Sequence, residues 1–122
     1  MAPRAVNLAS ALSRFSEAWS PKVVGDVNDC QIKLVRLDGA FDWHRHEIED
    51  EAFLVIDGRL RMEFRDAAEE LGPGELIVVP HGIEHRPVAL PTCSVLLFEP
   101  ASTLNTGDVV NERTVRQLER LV

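Results

Sequence analysis

The sequence predicts an all-β fold, an antiparallel barrel or sandwich with a short helix at each end. Three observations lead there. From Lys22 onward the apolar residues gather in short runs rich in Val, Ile, Leu and Phe, and turn residues bound each run, as they bound strands. The runs follow one another with no helical pattern between them, which argues against alternating βαβ units. Only the two ends of the chain carry apolar residues at helical spacing.

Taken in order, Leu8, Leu12, Phe15 and Trp19 line one side of a helix over about residues 7–19, with Asn7 as its cap and Pro21 as its stop. Strands are expected near 22–27, 30–37, 52–56, 60–64, 75–79 and 93–99, with shorter pieces at 41–46 and 86–90. Asp57-Gly58 lies between two of these runs and reads as a hairpin, because the favoured two-residue turn needs positive φ at both central positions. Gly72-Pro73-Gly74 reads as another turn. Arg59, Arg61, Glu63 and Arg65 alternate with Leu60, Met62 and Phe64, so a strand here turns its charges to solvent and its apolar set inward. After a polar segment containing Asn105, Thr106 and Gly107, the spacing of Val115, Leu118, Leu121 and Val122 predicts a C-terminal helix over about 112–121.

No internal repeat, low-complexity segment or linker divides the chain, so 1–122 is expected to form one domain with its barrel over about 22–100. A chain of this length can bury roughly two-thirds of its unfolded surface around one core. Thirteen basic against twenty acidic residues give a net charge of -7, a field that repels nucleic-acid phosphates and anionic lipid, so neither nucleic acid nor membrane is expected as a partner. Arg4, Arg14 and Glu17 interrupt the first twenty residues, which therefore lack the apolar stretch of a signal peptide, and no run reaches transmembrane length. The two cysteines, Cys30 and Cys93, form no CxxC pair and read as ordinary strand residues. A cytoplasmic protein is the expectation.

Chemistry concentrates in the middle of the chain. His44 and His46 stand two apart, and on an extended strand such residues project from one face, so both imidazoles can reach one ion. Glu51 opens the next apolar run and can add a carboxylate from the neighbouring strand. His85 follows a strand that ends in Pro80-His81-Gly82, which offers a fourth ligand. Three imidazoles and one carboxylate suit a divalent transition metal, Zn, Fe, Ni or Mn, with Cu also compatible, whereas a calcium site would be built from oxygens. His81 reads as a solvent-facing turn residue, and Phe41, Trp43 and Phe53 as cavity lining or packing.

These residues resemble the cupin superfamily, whose two motifs are commonly written G(X)5HXH(X)3,4E(X)6G and G(X)5PXG(X)2H(X)3N. Here the first motif reads Gly39, His44, His46, Glu51, Gly58, and the second reads Gly74, Pro80, Gly82, His85. Two positions depart from it. Four residues rather than five separate Gly39 from His44, and Ala89 replaces the final Asn; neither is a metal ligand in the family pattern. The shorter spacing of the first motif would choose Asp50 in place of Glu51. The tail from Glu99-Pro100 through Asn105-Thr106-Gly107 is similar to that of small stand-alone bacterial cupins, compared in fold with mannose-6-phosphate isomerase.

The resemblance implies a jelly-roll barrel, one bound divalent metal and a homodimer. It also implies a metal-dependent enzyme of isomerase, lyase or dioxygenase type that acts on a small oxygen-rich metabolite. The alternative is a non-catalytic module that binds or senses a small ligand. No catalytic base is assigned, and the absence of tyrosine weakens any comparison with tyrosine-dependent cupin lyases.

Overall fold

The computed structural model describes residues 2–122. A short helix α1 (Leu8–Leu12) precedes seven strands: β1 (Lys22–Val27), β2 (Cys30–Ala40), β3 (Glu51–Phe64), β4 (Ala68–Leu71), β5 (Leu76–Val79), β6 (His85–Pro100) and β7 (Glu119–Arg120). They form one curled sheet in the order β4-β3-β6-β2-β1-β7, with β5 added to β3, in a jelly-roll arrangement. All pairs are antiparallel except β1 with β7. No helix among the described residues is long and apolar enough to cross a membrane.

The long strands β2, β6 and β3 lie side by side and carry most of the core. Val35, Leu37, Phe53, Val55, Leu60, Met62, Val95 and Leu97 pack on the concave side. A second cluster on the convex side places Ala11, Leu12 and Phe15 against Val24 and Leu34, so that α1 covers part of the sheet's back. The alternation predicted for residues 59–65 holds in β3: Leu60 and Met62 are fully buried, while Arg59 and Arg65 are exposed.

Five expectations need correction. The predicted hairpin at Asp57-Gly58 does not exist, since β3 runs straight through it. Gly58 has φ +80° because it sits in an irregularity of the β3–β6 pairing, where a Cβ would lie 2.3 Å from the Thr92 carbonyl oxygen. Such a close approach of two backbones is a glycine site with or without a turn. The predicted strands at 86–90 and 93–99 are likewise one continuous strand, β6.

The N-terminal helix stops at Leu12 instead of reaching Trp19. Asn7 does cap it, accepting from the Ser10 amide at 2.9 Å. Beyond it the Arg36 guanidinium takes the carbonyls of Leu12 and Phe15, and the Trp19 amide donates to the Arg36 carbonyl at 2.8 Å. These bonds to the sheet replace further helical ones. At the other end no helix forms over 112–121. The apolar spacing there serves a coil that meets the sheet edge through β7, with Leu121 joining the convex cluster. Finally, residues 41–46 form no strand, although His44 bridges His85 by reciprocal backbone hydrogen bonds of 3.0 and 2.9 Å.

Candidate metal centre

That bridge positions the site. It sets the start of β6 beside the segment Asp42–His46, so His85 meets His44 across a backbone pair with ring centroids 4.4 Å apart. His46 is fixed on its far side by the Gly82 amide, which donates to the His46 carbonyl at 2.7 Å. Glu51 opens β3, where pairing with Val79 of β5 turns its carboxylate inward. The ligand-type atoms of His44, His46, Glu51 and His85 all lie within 4.8 Å of one another, and all four residues are buried.

The protonation of two rings follows from their partners. His44 Nδ1 lies 2.9 Å from the Asp42 carbonyl, and His85 Nδ1 lies 2.8 Å from the Ile83 carbonyl. A carbonyl can only accept, so each Nδ1 carries a proton and donates it, which leaves Nε2 as the ring atom turned to the site. Burial, reinforced by His85, pushes the His44 imidazole down to about 4, which keeps it neutral at physiological pH as a metal ligand must be. Burial works against the charged form of Glu51, but its contacts with His46 and His85 outweigh that and hold it well below the usual carboxylate range.

His46 Nε2 stands 3.0 Å and His85 Nε2 3.3 Å from Glu51 Oε1, yet none of these three buried atoms has a hydrogen-bond partner. Buried polar atoms are rarely left so. These atoms converge at short range with no hydrogen bond among them, an arrangement that a cation between them would satisfy. The donor set therefore fits a divalent transition ion, and the carbonyls behind His44 and His85 are the outer partners that commonly orient metal-binding imidazoles.

The cluster borders a narrow cavity of about 40 Å³, room for a few water molecules. Its lining is mostly apolar: Trp19, Phe41, Phe53, Leu37, Val95 and Leu97 surround His44 and Glu51. Glu99 and Asn105 are the other polar residues along the wall. The C-terminal segment closes one side. There Gly107, at φ +58°, packs so tightly that a Cβ would stand 2.3 Å from the Arg45 carbonyl oxygen and 2.9 Å from His44 Cδ2.

All four residues singled out from sequence thus converge. Asp50, the alternative to Glu51, is exposed and instead binds the His81 ring at 2.8 Å, which leaves both outside the cluster. Phe41 and Phe53 line the cavity, whereas Trp43 lies outside it under the Arg65 guanidinium, 3.9 Å from its ring centroid. Sequence reasoning missed Trp19, Lys33, Glu99 and Asn105. A buried charge in a strand read as apolar, Glu99 after Leu96-Leu97-Phe98, was the signal available for one of them.

Comparison with known proteins agrees with this geometry. A family model described as the cupin domain matches residues 34–98, more than half of the chain and most of the sheet. The chain belongs to the cupin family. Among solved structures, this cupin is similar to a cupin-2 domain containing protein from Shewanella frigidimarina NCIMB 400, with 42% identity and a TM-score of 0.77 over 78% of this chain and 93% of that one. It also resembles protein NMB1881 from Neisseria meningitidis, at 30% identity and a TM-score of 0.73, covering 80% of this chain and 100% of the other. An uncharacterized protein of Bacillus subtilis (strain 168), YdbB, is 31% identical over 81 residues, 66% of this chain and 72% of that protein.

Proposed function

We propose that this cupin is a metal-dependent enzyme acting on a small oxygen-bearing organic molecule, with His44, His46, Glu51 and His85 holding one divalent ion, Zn, Fe, Ni or Mn. The observation that carries the reading is the convergence of buried His46, His85 and Glu51 atoms with no hydrogen-bond partner. When bound, such an ion supplies Lewis acidity to a carbonyl or carboxylate oxygen, or, if it is iron, access to dioxygen chemistry.

The chain's own residues do the rest. The carbonyls of Asp42 and Ile83 hold the protons of His44 and His85 on Nδ1 and keep both Nε2 atoms turned to the site. Trp19, Phe41 and Phe53 exclude water and pack the body of the ligand. That lining selects between the classes open to an oxygen-rich substrate. A polyhydroxylated sugar would leave most of its hydroxyls without partners against these walls, at a cost of roughly 1–3 kcal/mol each. A compact organic acid or ketone, polar at one end only, fits better. Isomerisation, elimination and oxygenation all remain within the reach of such a site.

The test is metal content by elemental analysis on protein purified without chelator or histidine tag, beside the His44→Ala/His46→Ala double variant. Near one equivalent of transition metal, lost in the variant, supports the reading, and a turnover screen with defined metals then follows. Ligand binding with no chemical change in that screen would favour the non-catalytic binding module. No metal after reconstitution would overturn the reading altogether.

The proposal includes a homodimer. Exposed Leu76 and Val78 on the edge strand β5 share the convex face with exposed Phe98, joined through the pairing of Ala52 with both Val78 and Phe98. Edge strands with exposed apolar side chains are commonly covered in the working assembly.

A further inference from the structure

Lys33 and Glu99 form an ion pair of 2.9 Å with side chains only 1% and 2% exposed. Burying such a pair gains little stability over apolar residues of the same size, so its presence calls for another reason. Its location supplies one. On β2 and β6, Gln31 pairs with Glu99 and Lys33 with Leu97, so Lys33 and Glu99 point to the same face one diagonal step apart. On the other side of β6, Ala52 pairs with Phe98 and Phe53 with Leu97, and that register carried one residue further sets Glu51 opposite Glu99.

Lys33, Glu99 and Glu51 therefore form a row across three adjacent strands, and the row ends at His46 and His85. Two carboxylates directly opposite each other on neighbouring strands repel unless their surroundings compensate. Here Lys33 compensates on one flank, and the imidazole cluster lies on the other. Glu99 Oε1 is committed to Lys33, while Glu99 Oε2 is buried without a hydrogen-bond partner in a wall that both carboxylates share. Apart from His44 and Asn105, the rest of that wall is apolar, and Asn105 is occupied with the Arg113 carbonyl and the Val115 amide.

We propose that Glu99, anchored by Lys33, is a positioning residue for Glu51: it limits the rotation of the Glu51 carboxylate so that Oε1 stays aimed between His46 and His85. The inference rests on the metal-centre reading above. It assigns the buried pair to metal affinity and not to holding the barrel together.

The Lys33→Met/Glu99→Leu double variant separates these roles, because an apolar pair of similar volume commonly preserves or improves stability. Cobalt(II) titration followed by its visible absorption should give a Kd raised about 10- to 100-fold over wild type, with a changed band shape, the range typical for loss of an outer partner. Chemical denaturation of the metal-free protein should be unchanged or improved. Glu99→Gln, which keeps the length and a hydrogen-bonding head, should recover Kd to within about threefold of wild type. A folded double variant with wild-type Kd and spectrum would overturn the inference while leaving the metal centre intact. If the double variant does not fold, Lys33→Met/Glu99→Gln, which removes the anchor without leaving a buried charge unpaired, is titrated with the same two outcomes. Wild-type protein that takes up no cobalt would overturn both the metal centre and the positioning role.

Discussion

His85 presents Nε2 to Glu51 Oε1 at 3.3 Å while its Nδ1 donates to the Ile83 carbonyl at 2.8 Å. With Nδ1 committed to the carbonyl, Nε2 is the ring atom left to share an ion with the carboxylate. An ion that binds this folded arrangement and not the unfolded chain should stabilise the protein.

Zinc at about 100 times its Kd should accordingly increase the unfolding free energy by about 2.7 kcal/mol. His85→Ala should lose that gain while keeping the β-rich far-ultraviolet spectrum. Denaturant titration of both proteins with and without zinc reads the effect. An equal gain in the variant would place the ion elsewhere.

Two glycines with nearly the same φ should respond differently to alanine. Gly58, at φ +80°, would thrust its Cβ to 2.3 Å from the Thr92 carbonyl oxygen, whereas Gly74, at φ +83°, has nothing within 4 Å. Gly74→Ala should cost about 1 kcal/mol, the conformational penalty alone. Gly58→Ala should cost about 3 kcal/mol or more, since backbone β6 must also move. Equal urea midpoints for the two variants would contradict the bulge described for β3.

The segment between α1 and β1 hangs on one side chain. Arg36 reaches from β2 to the carbonyls of Leu12 and Phe15, and its guanidinium also stacks 5.5 Å from the Phe15 ring centroid. Arg36→Met should lower stability by about 2 kcal/mol, the range for hydrogen bonds to a charged donor. Amide exchange should speed up over residues 8–19 and much less in β3 and β6. Uniform acceleration across the sheet would show that the arginine supports the barrel itself.

The two thiols should separate by reactivity. Burial, with Asp57 adding to it, pushes the Cys93 thiol up to about 12 from its ordinary 9.0. Its thiolate at pH 8 is then about one part in ten thousand, and the side chain is inaccessible as well. A disulfide-exchange reagent should label Cys30 in the native protein and Cys93 only after unfolding. The raised value also sets a sign. Below 9.0 neither state ionises, but between 9.0 and about 12 the unfolded chain loses the proton that the folded one keeps, so stability falls as pH rises through that window. Cys93→Ala should show a shallower alkaline fall, and an identical slope would refute the assignment.

Much of this protein was legible along the chain. The period-two pattern of residues 59–65 and the runs that became β1, β2 and β5 are local signals, and they survive folding because side chains alternate on a strand whatever its partners. The spacing of His44, His46, Glu51 and His85 was legible too, although residues 41–46 form no strand and the His44–His85 bridge does the gathering. The local signals misled where one residue type serves two purposes. Gly58 looked like a turn because positive φ is common to turns and bulges, and Trp19 looked like a fourth helical contact although it stacks on Phe41 at 4.5 Å in the cavity wall. Only tertiary structure decided that Glu51 rather than Asp50 faces the histidines, because both lie in one acidic run and inward or outward orientation depends on pairing with Val79. The row from Lys33 through Glu99 to Glu51 is of the same kind. Its first two members lie 66 positions apart in sequence, and no periodicity within either strand encodes the register that brings them together.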